Sequence, residues 1–181
     1  MNDFLAFLEK TASDPALETE WVDLLAQLEY VGCRKILKGV DFERVNLSVL
    51  QHVMEEASHA YLMKRAAGPE VANRPWTEGK FAQAGWKYFQ TLDTLVSAEL
   101  PEAHCYPVVS WIVERRVMEV YPAYLKVTRN EAVREALTTI IEQERRHGKL
   151  FDAFPIEADR KGHILSLERE LWKQLLTSFS A

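Results

Sequence analysis

Apolar residues recur at helical spacing along almost the whole chain, and no segment alternates polar and apolar residues as a strand does. The pattern therefore predicts an all-α fold in one domain, residues 1–181. Long helices are predicted over about 18–37, 46–66, 107–127 and 131–152. Further helices are predicted over 3–11, 81–99 and 163–178, with residues 67–80 as a loop. Asn46 is a residue type that begins helices, and Gly39 is one that follows them.

The sequence Glu-x-x-His occurs twice, as Glu56-Ala-Ser-His59 and as Glu144-Arg-Arg-His147. Two residues three apart on a helix project from the same face, so each copy presents a carboxylate and an imidazole together. Four-helix bundles that hold a pair of divalent metals use two such units and one further glutamate for each. The repeated motif therefore predicts a metal site inside a bundle.

The further glutamates are predicted from their level in each hairpin. If the first hairpin turns near residue 43, Glu29 lies 14 residues before the turn and Glu56 lies 13 after it. If the second turns near residue 129, Glu114 and Glu144 each lie 15 residues from it. Glu119 would lie only 10 residues away, so Glu114 is the expected ligand. Glu119 stays an alternative if Pro122 shifts the helix register.

Buried charge gives a physical reason for metal at these glutamates, since each lies on an apolar helical stripe. Four carboxylates at one level of a bundle would repel one another and raise one another's pKa. Two divalent ions would cancel the four negative charges. The helices that carry Glu56 and Glu114 must then run parallel. The helix over 81–99, which would span about 28 Å, is the expected crossover.

Composition excludes several other classes of protein. The net charge of −5 does not indicate the basic surface that binds nucleic acid. No run approaches the ~18 apolar residues of a membrane span. Only Cys33 and Cys105 are present, without a Cys-x-x-Cys pair, which is typical of a reducing compartment. We therefore expect a cytoplasmic protein that binds neither membranes nor nucleic acid.

The order Glu, Glu-x-x-His, Glu, Glu-x-x-His over residues 18–152 resembles the ferritin-like di-iron carboxylate superfamily. The segment Gln143-Glu144-Arg145-Arg146-His147 is similar to the signature of its oxidase and oxygenase branch, although Gln143 stands where an acidic residue is usual. The resemblance implies a four-helix bundle with a long crossover helix and, here, an additional C-terminal helix. It also implies metal ligands at Glu29, Glu56, His59, Glu114, Glu144 and His147, with Glu56 and Glu144 bridging two iron ions.

The resemblance further implies a non-haem di-iron oxidoreductase that uses O₂ to oxidise a small organic substrate. An external donor would supply electrons, because the chain has no flavin or nicotinamide motif. Manganese or a mixed manganese–iron pair, and a homodimer, stay open. The alternatives are a ferroxidase or peroxide-detoxifying protein without an organic substrate, and a metal-free helical binding module.

Several neighbouring residues allow two interpretations. His52 is interpreted as a partly exposed helix residue rather than an outer partner of the site. Glu55 is either a solvated charge or an acceptor for a ligand. Tyr30 and Tyr121 are expected to pack in the core rather than to have a redox role. Gly32 is expected to serve helix packing more than to leave room for O₂.

Overall fold

The computed structural model describes residues 2–40, 43, 45–151 and 156–179, and within them every regular element is helical. The all-α prediction is therefore confirmed. The α-helices are α1 (Asn2–Ser13), α2 (Pro15–Gly39), α3 (Leu47–Ala66), α4 (Pro69–Ala72), α5 (Ala82–Glu99), α6 (Glu102–Val127), α7 (Glu131–Phe151) and α8 (Ala158–Thr177). None of the helices in these ranges combines the length and apolar character needed to span a bilayer.

Side-chain caps fix the starts of the two helices that form the first hairpin. The Asp14 carboxylate accepts hydrogen bonds from the backbone N–H groups of residues 16 and 17, at 3.0 and 3.2 Å, and Pro15 is the first residue of α2. Asn46 accepts from the N–H of Val49 at 3.1 Å and begins α3, as predicted.

Four predicted boundaries were wrong. Helix α2 begins at Pro15 rather than near residue 18, because the Asp14 side chain caps it. Helix α6 begins at Glu102 rather than near residue 107, because Pro101 starts it and Pro107 is tolerated in its second turn. Helix α8 begins at Ala158 rather than 163, since its first residues are polar and give no apolar period. The predicted loop 67–80 contains α4 and a 3₁₀ turn over Trp76–Glu78. The predicted end of α7 at residue 152 lies outside the described residues.

Two helical hairpins build the part of the fold that carries the predicted ligands. Helix α2 packs along α3, and α6 packs along α7. Contacts of α3 with α7 and of α2 with α6 join the hairpins into a four-helix arrangement. Helix α5, which links α3 to α6, contacts α2, α6 and α8. The glutamates at positions 29, 56, 114 and 144 therefore lie away from the ends of four mutually packed helices.

Candidate metal centre

The structure brings all six predicted ligands, and one further histidine, into a single buried cluster. Two groups of four side chains have ligand atoms that all lie within 4.8 Å of one another. One group is Glu29, Glu56, His59 and Glu144, and the other is His52, Glu56, Glu114 and His147. Each of these residues is at most 8% exposed. The four helices therefore place both groups away from water, with Glu56 common to the two.

Two carboxylates connect the two histidines of the repeated motif. The Glu56 Oε1 atom lies 3.3 Å from His147 Nδ1 and 3.8 Å from His59 Nδ1. The two Glu144 oxygens lie 3.0 Å from His59 Nδ1 and 3.2 Å from His147 Nδ1. Each carboxylate thus reaches both halves of the cluster, as a ligand shared by two ions must.

The separations between donor atoms are those expected between ligands of one metal ion. Two atoms about 2.1 Å from one ion are about 3.0 Å apart at a right angle and about 3.4 Å apart at a tetrahedral angle. Among the described residues, the buried atoms without a hydrogen bond include Glu56 Oε1, His59 Nδ1 and Glu114 Oε2. Buried polar atoms rarely stay unsatisfied. These side chains could therefore hold metal, and the donor set fits two divalent ions.

Each motif histidine is oriented by the residue that directly precedes the other motif. His59 Nε2 donates to Gln143 Oε1 at 2.7 Å, and His147 Nε2 donates to Glu55 Oε2 at 2.7 Å. Glu55 also accepts a hydrogen bond from Arg146 at 2.9 Å. Because the Nε2 protons are engaged outwards, both Nδ1 atoms face the cluster. The open question about Glu55 is thus answered, since it accepts from a predicted ligand.

Burial and like charge act on the glutamates that would bind metal at the ends of the cluster. Burial, with Glu56 adding repulsion, raises the pKa of Glu29 to about 7 despite its contact with His59. Burial and the nearby Glu144 carboxylate raise the pKa of Glu114 well above its usual range. Burial therefore favours the protonated form of Glu114, whereas a bound metal ion would favour its carboxylate form.

For the two motif histidines, contacts with carboxylates outweigh the effect of burial on the pKa. Burial disfavours the charged form of His59, but its contacts with Glu144 and Glu29 outweigh burial and raise its pKa to about 11. The same balance, with Glu144 and Glu56 as partners, raises the pKa of His147 to about 10. Burial opposes ionisation of Glu144, yet its contacts with Glu114 and the two histidines lower its pKa. Without metal, the cluster balances its carboxylates with imidazolium protons.

Glu119 and the two tyrosines lie in different environments. Glu119 is exposed and pairs with Arg116 at 2.6 Å, so the geometry favours Glu114 over it as a ligand. Tyr121 is 2% exposed and its hydroxyl donates to Glu29. The prediction that Tyr30 packs in the core was wrong, because it is 40% exposed and stacks on Trp76.

Two small cavities adjoin the cluster on the side of α2 and α6. One has a volume of about 40 Å³ and is lined by Glu29, Glu56, Glu114, Glu144 and Tyr121, together with Arg116 and mainly apolar side chains. The other has a volume of about 30 Å³ and includes His52 in its wall. Gly32 lines both. A Cβ atom at Gly32 would lie 3.0 Å from Glu56 Oε2. Glycine at this position therefore leaves the space that the Glu56 carboxylate occupies.

His52 is the residue of the cluster that sequence reasoning missed. It is 8% exposed, so its interpretation as a partly exposed residue was wrong. Its place one helical turn before Glu56 puts both side chains on one face of α3, which is the signal that could have identified it.

Comparison of the chain with protein-family models, curated proteins and solved structures finds no match. The site must therefore be interpreted from its own geometry.

Proposed function

We propose that this protein is a ferritin-like, non-haem di-iron oxidoreductase that uses O₂ to oxidise a small organic substrate. The observation that carries the proposal is the pair of carboxylates, Glu56 and Glu144, that each reach both motif histidines within 3.8 Å. A buried carboxylate shared between two sets of ligands is what a two-metal centre requires. A single-ion site would need neither the second histidine nor the second set.

The arrangement of helices supports the ferritin-like part of the proposal. Helix α5 links the hairpin of α2 and α3 to the hairpin of α6 and α7, and it packs on the outside of both α2 and α6. A long connection between the second and third helices of a bundle characterises this fold. Helix α8, which packs on α5, is an addition to that plan.

One ion would be held by Glu29, Glu56, His59 and Glu144, and the other by Glu56, Glu114, Glu144 and His147. When bound, a pair of iron ions supplies the electrons and the open coordination positions that reduction of O₂ needs. The chain itself contributes the ligand set, the orientation of the ligands and the surroundings in which the substrate meets O₂.

Hydrogen bonds hold the ligands before metal binds. Gln143 and Glu55 fix the rings of His59 and His147 with their Nδ1 atoms inwards, and Tyr121 holds one oxygen of Glu29. Such supporting groups lower the cost of arranging ligands around an ion and tune the basicity of the imidazoles. Tyr121 also lines the larger cavity.

The cavities give a small reactant access to the side of the cluster. The larger one has apolar walls that include Leu25, Leu28, Val113, Val117 and Val120. Its volume of about 40 Å³ exceeds the roughly 15 Å³ that one water molecule needs. An apolar space of this size suits O₂, and the walls limit the entry of bulk water.

Anaerobic loading with iron(II) tests the proposal. We expect two ions per chain by mass spectrometry, consumption of about one O₂ per iron pair, and no further consumption until re-reduction. The Glu56→Ala/Glu144→Ala double variant should lose both ions, whereas the exposed control Glu119→Gln should keep them. Retention of two ions by the double variant would refute the site. Accumulation of a large ferric core would support iron storage instead, and absence of metal with an unchanged fold would support a binding module.

A further inference from the structure

His52 lies in the cluster beside three of the predicted ligands. It stands one helical turn before Glu56 on α3, and its Nε2 atom lies 3.4 Å from Glu56 Oε1 and 3.8 Å from Glu114 Oε1. Its ring centroid is 4.2 Å from that of His147. All four side chains belong to one of the two groups whose ligand atoms lie within 4.8 Å of one another.

We propose that His52 binds metal directly and makes the two metal positions chemically unequal. The nitrogen-rich position would be formed by His52, Glu56, Glu114 and His147. The oxygen-rich position would be formed by Glu29, Glu56, His59 and Glu144. The inference rests on the two-metal centre proposed above and adds a seventh ligand to it.

The distances from His52 Nε2 to the two carboxylates are those expected between ligands of one ion. The 3.4 and 3.8 Å separations from the two carboxylates exceed the usual range of about 2.7–3.2 Å for a hydrogen bond. They match donor atoms that surround one ion, because donors about 2.1 Å from it are about 3.0–4.2 Å apart at angles from 90° to 180°. His52 is also absent from the Glu29 group, so it would serve one position only.

The difference in donors predicts a difference in metal preference. Imidazole suits iron, cobalt and zinc, whereas carboxylate suits manganese and magnesium. The nitrogen-rich position has two imidazoles and two carboxylates, and the oxygen-rich position has one imidazole and three carboxylates. Sharing of Glu144 by both ions would not remove this inequality, since it adds no nitrogen to either position.

The hydrogen-bond partners of His147 and His59 also differ between the two metal positions, and this difference favours the nitrogen-rich position. His147 donates to the Glu55 carboxylate, whereas His59 donates to the neutral Gln143 amide. A carboxylate partner makes an imidazole more basic and a stronger ligand. His147 should therefore hold its ion more strongly than His59 does, which reinforces the effect of His52.

Cobalt(II) can locate the preferred position because its binding needs no O₂ and no turnover. Metal-free protein is crystallised with one equivalent of cobalt(II), and anomalous scattering at the cobalt edge gives the occupancy of each position. We expect cobalt within bonding distance of His52 and His147, with the position at Glu29 and His59 filled only by a second equivalent. Equal occupancy, or filling of the oxygen-rich position first, would overturn the proposal.

A variant with chemical rescue tests the role of His52 itself. His52→Ala should weaken binding of one cobalt ion at least about tenfold and leave the other unchanged. Free imidazole can occupy the vacated space and should restore the lost affinity. The matched control is His163→Ala, which removes an imidazole whose side chain is 56% exposed.

The outcomes separate this inference from the two-metal proposal. If the unaltered protein binds no cobalt, the proposed function itself fails. If it binds two ions and His52→Ala binds both with unchanged affinity, His52 is not a ligand. Loss of both ions without rescue by imidazole would assign His52 a structural role and would equally refute the proposal.

Discussion

Metal binding to the metal-free protein should release protons, because the ligand atoms of the cluster carry them at neutral pH. His59 and His147 have pKa values of about 11 and about 10, so both are imidazolium ions at pH 7. Their Nε2 protons are held by Gln143 and Glu55, which leaves the second proton on Nδ1, the atom that faces the cluster. A metal ion can bind Nδ1 only after that proton has left.

The number of protons follows from the same groups. The two histidines release one proton each. Glu29, with a pKa of about 7, adds a fraction. Burial raises the pKa of Glu114, so ion binding to this carboxylate adds to the release in the same direction. We therefore expect at least about two protons per pair of ions at pH 7. The product of the two binding constants should then rise at least roughly a hundredfold for one pH unit near neutrality.

Calorimetric titration in buffers of different ionisation enthalpy measures this number directly from the slope of the apparent enthalpy. Glu114→Gln removes a buried carboxyl whose pKa is raised, so it should lower proton release and weaken binding of the ion that Glu114 contacts. Fewer than about one proton per pair in the unaltered protein would refute the protonation states on which the argument depends. The exposed Glu119→Gln variant should leave both proton release and affinity unchanged.

Three further predictions concern stability, space and orientation. The free energy of unfolding of the metal-free protein should fall as pH rises from about 6.5 to 10, because the two motif histidines keep protons in the folded state that they lose when unfolded; urea titrations measure this. Gly32→Ala should reduce metal content, since its methyl group would lie 3.0 Å from Glu56 Oε2, whereas Gly162→Ala, where no atom lies within 4 Å, is the control. Tyr121→Phe should keep the fold but lower metal affinity roughly tenfold, measured by competition with a chelator, because Glu29 loses its hydrogen bond.

Sequence reasoning was most successful where periodicity and charge had to agree. Apolar stripes on four long helices gave the all-α class, and glutamates on those stripes required a compensating charge. Matched distance from each predicted turn favours Glu114 over Glu119 as a ligand, and the structure buries Glu114 and exposes Glu119. Burial of a charged residue at a defined level is a strong constraint, so it can be recognised without a structure.

The errors arose where the deciding contacts come from other helices. Pro107 predicts a helix boundary, yet α6 continues through it because Val108, Val109 and Ile112 are buried and hold the helix against its neighbours.

His52 lies outside the repeated motif, and only its spacing from Glu56 places it on the same face of α3. Its burial beside Glu114 and His147 depends on α6 and α7. The sequence of α3 alone does not contain that information.

The partners of the motif histidines show why the two halves of the chain form one site. Glu55 precedes the first motif but holds His147 of the second, and Gln143 precedes the second motif but holds His59 of the first. Neither hairpin could orient its own histidine by these contacts. These two hydrogen bonds join α3 to α7. The histidines are therefore oriented only when the two hairpins pack correctly against each other. The residue before each glutamate of the motif is therefore part of the site, and only tertiary structure reveals which histidine it holds.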